Sequence, residues 1–98
     1  MANPERIGME NINSPGRVVQ VDAAKYTAMR GALMAVLGAA TASLTYAEIK
    51  ERLLPLLPAD LFPGGAKAGW WLKGLQLDLE AKGLITRQPT TPLRWRKA

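Results

Sequence analysis

Apolar residues recur at helical spacing in three stretches of the chain and alternate in a fourth. From Asp22 onward Tyr26, Met29, Leu33, Val36 and Leu37 fall on one stripe of a helix, which predicts a core-facing side. Asp22 stands where its carboxylate can accept an unpaired N–H of the first turn, and Gly38 is the expected stop. Lys25 and Arg30 lie off the stripe and point to solvent. Residues 39–44 (AATASL) form a connector with room for a very short strand at Ser43–Leu44. Thr45-Tyr46-Ala47-Glu48 then has the form of a capping box, in which threonine and glutamate each satisfy a backbone N–H at the other's position. The helix it opens buries Ile49, Leu53 and either Leu56 or Leu57. Pro55 and Pro58 limit its length, because proline removes a helical donor and crowds the preceding turn. Residues 59–65 (ADLFPGG) turn the chain, with Leu61 and Phe62 tucked inward.

A third helix is predicted from Ala66 or Lys67 to Lys82, with Gly83 in the position favoured for a left-handed cap. Ala68, Trp71, Leu72, Leu75 and Leu79 share its core arc, and Lys73, Gln76 and Glu80 form a polar face. Trp70, Gly74, Leu77 and Ala81 make a second, weakly apolar strip opposite the core, where a plain surface helix would be polar. Two readings of that strip stand open. Trp70 either packs against residues 10–20 or anchors an interface; Trp71 belongs to the core. After Gly83, residues 84–88 (LITRQ) and 93–97 (LRWRK) read as strands flanking a turn that holds Pro89 and Pro92. In the second strand Leu93 and Trp95 point one way and Arg94 and Arg96 the other. The result is a hairpin with one apolar and one cationic face, Trp95 folding back on the helices.

The start of the chain carries a weaker pattern. Residues 1–16 hold Pro4, Gly8, Asn11, Asn13, Ser14, Pro15 and Gly16 and read as a loose lead-in rather than a packed element. Arg17 to Val21 (RVVQV) is either a short strand or a segment extended over a neighbouring surface. The expected organisation is an arm over residues 1–21, partly extended, followed by one domain over 22–98.

Composition narrows the chemistry. Among 98 residues, 48% apolar and 21% charged, there is room for one small globular domain. No cysteine or histidine is present, so disulfides, cysteine or histidine metal sites and histidine acid–base catalysis are excluded. No pairing among the carboxylates, lysines and hydroxyls suggests a reaction. No enzyme activity, metal or cofactor is expected. Gly64-Gly65-Ala66-Lys67-Ala68-Gly69 lacks the phosphate-loop spacing and no parallel strand precedes it, so it reads as a flexible turn. The longest weakly polar run, Gly31 to Leu44, is too short to span a bilayer. The opening MANPER has no basic region followed by an apolar stretch, and a cytoplasmic location is the expectation. The net charge of +5 is lopsided: residues 61–98 hold all of the excess, with Asp78 and Glu80 as their only acids. That asymmetry points to an anionic partner, nucleic acid before a membrane surface.

The order helix, connector, helix, turn, helix, hairpin, with Leu75-Gln-Leu-Asp-Leu-Glu-Ala-Lys-Gly-Leu-Ile-Thr-Arg87 leading from the third helix into the hairpin, resembles the winged helix-turn-helix of bacterial regulators. More particularly, Asn13-Ser-Pro-Gly16, Val21-Asp-Ala-Ala-Lys-Tyr26, Phe62-Pro-Gly-Gly-Ala-Lys-Ala-Gly-Trp-Trp71 and Leu75 to Gly83 are similar to a family of small uncharacterised bacterial winged-helix proteins. The resemblance implies an α+β winged helix-turn-helix of three helices with a C-terminal β-hairpin wing, and no assigned activity. As a reader of double-stranded DNA, such a fold would offer Lys67, Lys73 and Gln76 to base edges in the major groove. Arg87, Arg94, Arg96 and Lys97 would touch phosphates or the minor groove. As a protein-interaction module it would use Trp70, Gly74, Leu77 and Ala81, with the arm, to form a homodimer or hold another protein. Asp78 and Glu80 speak against the first reading if they face the phosphates.

Overall fold

The structure is a computed structural model that describes residues 5–98. The first four positions of the expected arm, Pro4 among them, lie outside the described residues. Beyond them the lead-in is not loose. Arg6–Met9 (β1) pairs antiparallel with Val19–Asp22 (β2), Arg6 opposite Asp22 and Met9 opposite Val19. Ile7 and Met9 share one face of β1, and with Val21 they bury apolar surface that an unpaired arm would leave in water. Of the two readings of Arg17 to Val21, the strand is observed, beginning at Val19 and running on to Asp22.

Asp22 closes β2 and opens the helix Ala23–Ala39 (α1), its Oδ1 accepting the Lys25 N–H at 3.0 Å. The expected stripe is buried: Tyr26, Met29, Leu33, Val36 and Leu37, joined by Ala32. Gly38 does not stop the helix. It keeps helical backbone, α1 ends one residue later at Ala39, and Ala40 turns the chain into extended conformation. A glycine inside a helix costs only about 1 kcal/mol, which the packing of Val36 and Leu37 outweighs.

Leu44–Thr45 (β3) is a two-residue strand set one position beyond the expected Ser43–Leu44. Tyr46–Leu53 (α2) follows, with both bonds of the capping box made: Glu48 N–H to Thr45 Oγ1 at 3.2 Å and Thr45 N–H to Glu48 Oε1 at 2.9 Å. A short 3-10 turn at Leu54–Leu56 accommodates Pro55, leaving Leu56 exposed while Leu57 packs on the core. Phe62 is buried and Leu61 half-buried before a second 3-10 turn, Pro63–Gly65.

The third helix, Ala68–Ala81 (α3), starts later than expected because Lys67 takes a left-handed backbone, φ 59°. Gly83, φ 73°, ends it as predicted. The Leu84 N–H reaches the Leu79 carbonyl at 2.9 Å and the Gly83 N–H reaches that of Glu80 at 3.1 Å, the paired bonds of a Schellman cap. Ile85–Gln88 (β4) and Arg94–Lys97 (β5) then pair antiparallel, and β3 joins the far edge of β5, giving the order β3-β5-β4. Leu93 stands before the strand and is exposed, so Trp95 alone fills the apolar side of β5. The architecture is α+β: three helices and two small antiparallel sheets around one core. Among the described residues no helix is long and apolar enough to cross a membrane.

Candidate functional site

The outer strip of α3 is divided between two fates. Over its later turns the N-terminal hairpin lies directly on it. A Cβ added at Gly74 would meet the Met9 methyl carbon at 2.7 Å, so glycine there leaves room for the end of the Met9 side chain of β1 against the helix. The Ile12 N–H donates to the Leu77 carbonyl at 3.3 Å, and the Glu10 N–H donates to Asp78 Oδ1 at 2.8 Å. Gly74, Leu77 and Ala81 are half-buried. Trp70, one turn earlier, is 57% exposed. Residues 10–20 do not shield it; its aromatic neighbour is Trp71, which meets it edge to face with ring centroids 5.1 Å apart.

Both carboxylates of residues 61–98 are withdrawn from the surface. Asp78 is fully buried and accepts from the Tyr26 hydroxyl at 2.5 Å and from Lys82 Nζ at 2.5 Å, besides the Glu10 N–H. Lys82 also donates to the Tyr26 oxygen at 3.0 Å and stands 3.7 Å from a Glu10 carboxylate oxygen. Burial, reinforced by the bond to Asp78, holds the Tyr26 hydroxyl above the ordinary tyrosine range. Partial burial acts against the Lys82 charge, but the bonds and the negative charge of Asp78 outweigh it and raise the ammonium above the usual lysine value. Glu80, with its side chain 6% exposed, receives Arg87 Nε at 3.2 Å and Nη2 at 3.0 Å, Gln76 Nε2 at 3.2 Å, and the Trp95 indole N–H. The Arg87 guanidinium also lies over the Trp95 ring, 5.9 Å from its centroid.

These bonds redistribute the predicted contact residues. Gln76 is 2% exposed, so its amide is turned into the protein and cannot pair with a base edge; its Oε1 has no partner. Arg87 is held by Glu80. Arg94 donates to the Ser43 carbonyl at 3.0 Å and pairs with Glu48 at 3.5 Å. Lys67, Lys73, Arg96 and Lys97 remain exposed. They fall into two groups. Lys67 lines an open cavity of about 420 Å³ with Asp22, Lys25, Trp70 and Trp71, at the start of α1. Arg96 and Lys97 line a second hollow with Leu37, Gly38 and residues 40–43, at the end of α1. The 17 residues of α1 separate the two ends by about 25 Å. The turn between β4 and β5 (PTTPL, 89–93) carries no charge.

Sequence reasoning missed the part played by Lys25, which the fold sets beside Lys67, and the cluster of Glu10, Tyr26, Asp78 and Lys82. The i, i+4 spacing of Asp78 and Lys82 was a visible signal for the last pair. Tyr26, 52 positions from Asp78, offered none. Among the described residues no three acidic side chains gather to hold a metal ion.

A family model described as a family of unknown function, DUF6958, matches residues 6–95. The chain belongs to DUF6958. The DUF6958 match begins at the first residue of β1 and runs into β5, so it takes in the N-terminal hairpin together with the three helices and the second hairpin. No curated protein and no solved structure matches the chain.

Proposed function

We propose that this DUF6958 chain is a winged-helix module that binds double-stranded DNA through contacts to phosphates and does not read base sequence. In this reading α1, β3, α2 and α3 form the helix-turn-helix core, and β4–β5, with β3 at its edge, is the wing. The observation that carries the proposal is the sequestration of Asp78 and Glu80. With both buried and paired, residues 61–98 present Lys67, Lys73, Arg96 and Lys97 to solvent and no exposed carboxylate. Phosphate repulsion from these two groups is thereby removed. The same geometry disfavours base reading. Gln76 is buried, Arg87 is held by Glu80, Arg94 is engaged at the surface by the Ser43 carbonyl and Glu48, and the lysines of α3 act as point charges. Neither catalysis nor a cofactor enters the proposal.

Titration of mixed-sequence duplex DNA over a range of salt tests it. Phosphate-directed binding weakens on a log–log plot by about 0.9 units of slope for each phosphate neutralised. Arg96→Ala with Lys97→Ala is expected to lower that slope by about 2 without changing sequence preference. Absence of binding at low salt refutes the reading.

The exposure of Trp70 favours a second reading, self-association through that indole. A two-fold contact centred there would bring Lys67 and Lys73, one turn to either side, toward their own copies, and like charges oppose such a pairing. A concentration-dependent dimer that Trp70→Ala abolishes would establish it against that expectation.

A further inference from the structure

The cavity at the start of α1 brings together two chemistries that the phosphate contacts alone do not use. Trp70 forms one wall and is more than half exposed, and Trp71, buried beneath, meets it edge to face. No ring lies parallel to the Trp70 indole among the described residues. Lys25 and Lys67 line the same cavity, and Lys73 follows Trp70 by one turn on α3. The one acidic group of the wall, Asp22, has its Oδ1 occupied by the Lys25 N–H as the cap of α1. The lining therefore combines a free aromatic surface with more positive than negative charge.

Building on the nucleic-acid reading above, we propose that this cavity holds one nucleotide unit, its base stacked on Trp70 and its phosphate beside Lys25 and Lys67. The nucleic acid it suits is then a single strand. An indole can stack only on a base whose faces are free, and in a duplex both faces are covered by neighbouring pairs. Aromatic stacking beside a cationic track is how strands are held without regard to sequence. That sequence tolerance agrees with the loss of Gln76 as a base reader. The volume of about 420 Å³ lies in the range of sites that enclose small ligands. A free nucleotide shares the chemistry of base and phosphate, so the two sources must be separated by experiment.

The test compares a thymidine oligonucleotide, a duplex of equal length and adenosine monophosphate. Affinity is followed by anisotropy of labelled DNA, and contact by quenching of tryptophan emission. The protein is used as wild type, Trp70→Ala, Trp70→Phe, the pair Lys25→Ala and Lys67→Ala, and the distant pair Arg96→Ala and Lys97→Ala. The single strand is expected to bind more tightly than the duplex and to quench emission. Trp70→Ala should weaken single-strand binding about 10- to 100-fold with little change in salt slope, while Trp70→Phe retains most of the affinity. Lys25→Ala with Lys67→Ala should lower the salt slope for the single strand, and Trp70→Ala should leave duplex affinity unchanged. Quenching by the mononucleotide without oligonucleotide binding would support the cavity's chemistry with a free nucleotide as its source. Trp70 is at the surface, so its variants should melt with the wild type; Trp70→Phe keeps the test decisive if the alanine variant does not. Salt-sensitive duplex binding with no single-strand preference and no effect of Trp70→Ala overturns the cavity proposal and leaves the phosphate reading standing. Failure of both DNA forms to bind at low salt removes that reading first. Quenching by an acidic peptide and by neither DNA nor nucleotide assigns the cavity to a protein partner and overturns the proposal.

Discussion

Replacing Asp78 by alanine should loosen the N-terminal hairpin from α3 and destabilise the whole domain. The wild-type carboxylate is fully buried and accepts from three donors: the Tyr26 hydroxyl, the Lys82 ammonium and the Glu10 N–H. Removing one partner of a buried ion pair costs about 3–5 kcal/mol, because the other group is left without its counter-charge. Hydrogen bonds to a charged group contribute about 1.5–3 kcal/mol each. Adding these would overstate the loss. Lys82 retains its Tyr26 contact and is partly open to water, and the Glu10 segment is only half-buried. A net loss of about 3–5 kcal/mol is therefore the expectation, a large share of the roughly 5–15 kcal/mol typical of such domains. At about 4–8 °C per kcal/mol for a chain of this size, the melting temperature should drop by at least about 12 °C.

Urea unfolding measures the total, and amide hydrogen exchange locates it. The N–H groups of Glu10 and Ile12 should lose protection before those of β4 and β5, since the hairpin is fastened to α3 through Asp78 and Leu77. Asp78→Asn keeps one acceptor oxygen and should lose less than Asp78→Ala. A double-mutant cycle with Tyr26→Phe should give a coupling of about 0.5–3 kcal/mol. A loss below about 1 kcal/mol for Asp78→Ala, with hairpin protection unchanged, would refute the idea that this carboxylate fastens the hairpin.

The same cluster sets the alkaline limit of stability. Tyr26 and Lys82 both hold their protons more tightly in the folded chain, so their contribution is complete below the ordinary values of 10.0 and 10.5 and is lost as pH rises through the folded values. Chemical denaturation followed upward from pH 8 should show level stability until the ordinary tyrosine value of 10.0 is approached and a fall above it, and Tyr26→Phe with Lys82→Met should flatten the fall; an unchanged slope in that variant would sink the assignment. Gln76→Met removes an acceptor that has no partner and one bond to Glu80, which keeps Arg87 and Trp95. Stability should change by no more than about 1 kcal/mol in either direction, and affinity for DNA not at all; a change in sequence preference would return Gln76 to the role of a base reader.

Local signals made most of the skeleton legible. The capping box at Thr45 and Glu48, the glycine cap at Gly83 and the apolar stripe of α1 are each written within a few consecutive turns, and each is found. What stayed hidden depends on contacts between distant segments. β1 is four residues with a glycine inside and turn formers after it, and it becomes a strand only because β2 pairs with it and α3 lies beneath Met9. Gln76 and Glu80 look solvated on the wheel of α3. They are buried because Arg87 and Trp95, on the second hairpin, fold over that flank, which the periodicity of α3 cannot reveal. Trp70 shows the opposite error. The strip it belongs to is apolar throughout and suggests one continuous contact, yet Met9 of the hairpin packs at Gly74 while Trp70, one turn earlier, is left exposed.

The two carboxylates of α3 explain why its first turns are the part left for a partner. Asp78 ties one flank of the helix to the N-terminal hairpin, and Glu80, two positions on, ties the other flank to the C-terminal hairpin. Consecutive even positions of a helix point about 200° apart, so a pair at this spacing can fasten opposite neighbours, which a pair at i, i+4 cannot. The last turns of α3 are thereby enclosed on three sides: the core, one hairpin and the other. The bonds to these two carboxylates that secure the fold also hide its negative charge, and the exposed groups that remain on the helix, Trp70 and Lys73 with Lys67 before them, gather at its beginning. A binding surface on α3 must therefore work from that end, where an open indole and lysine charges meet, and not along the length of the helix as a groove-filling rod would.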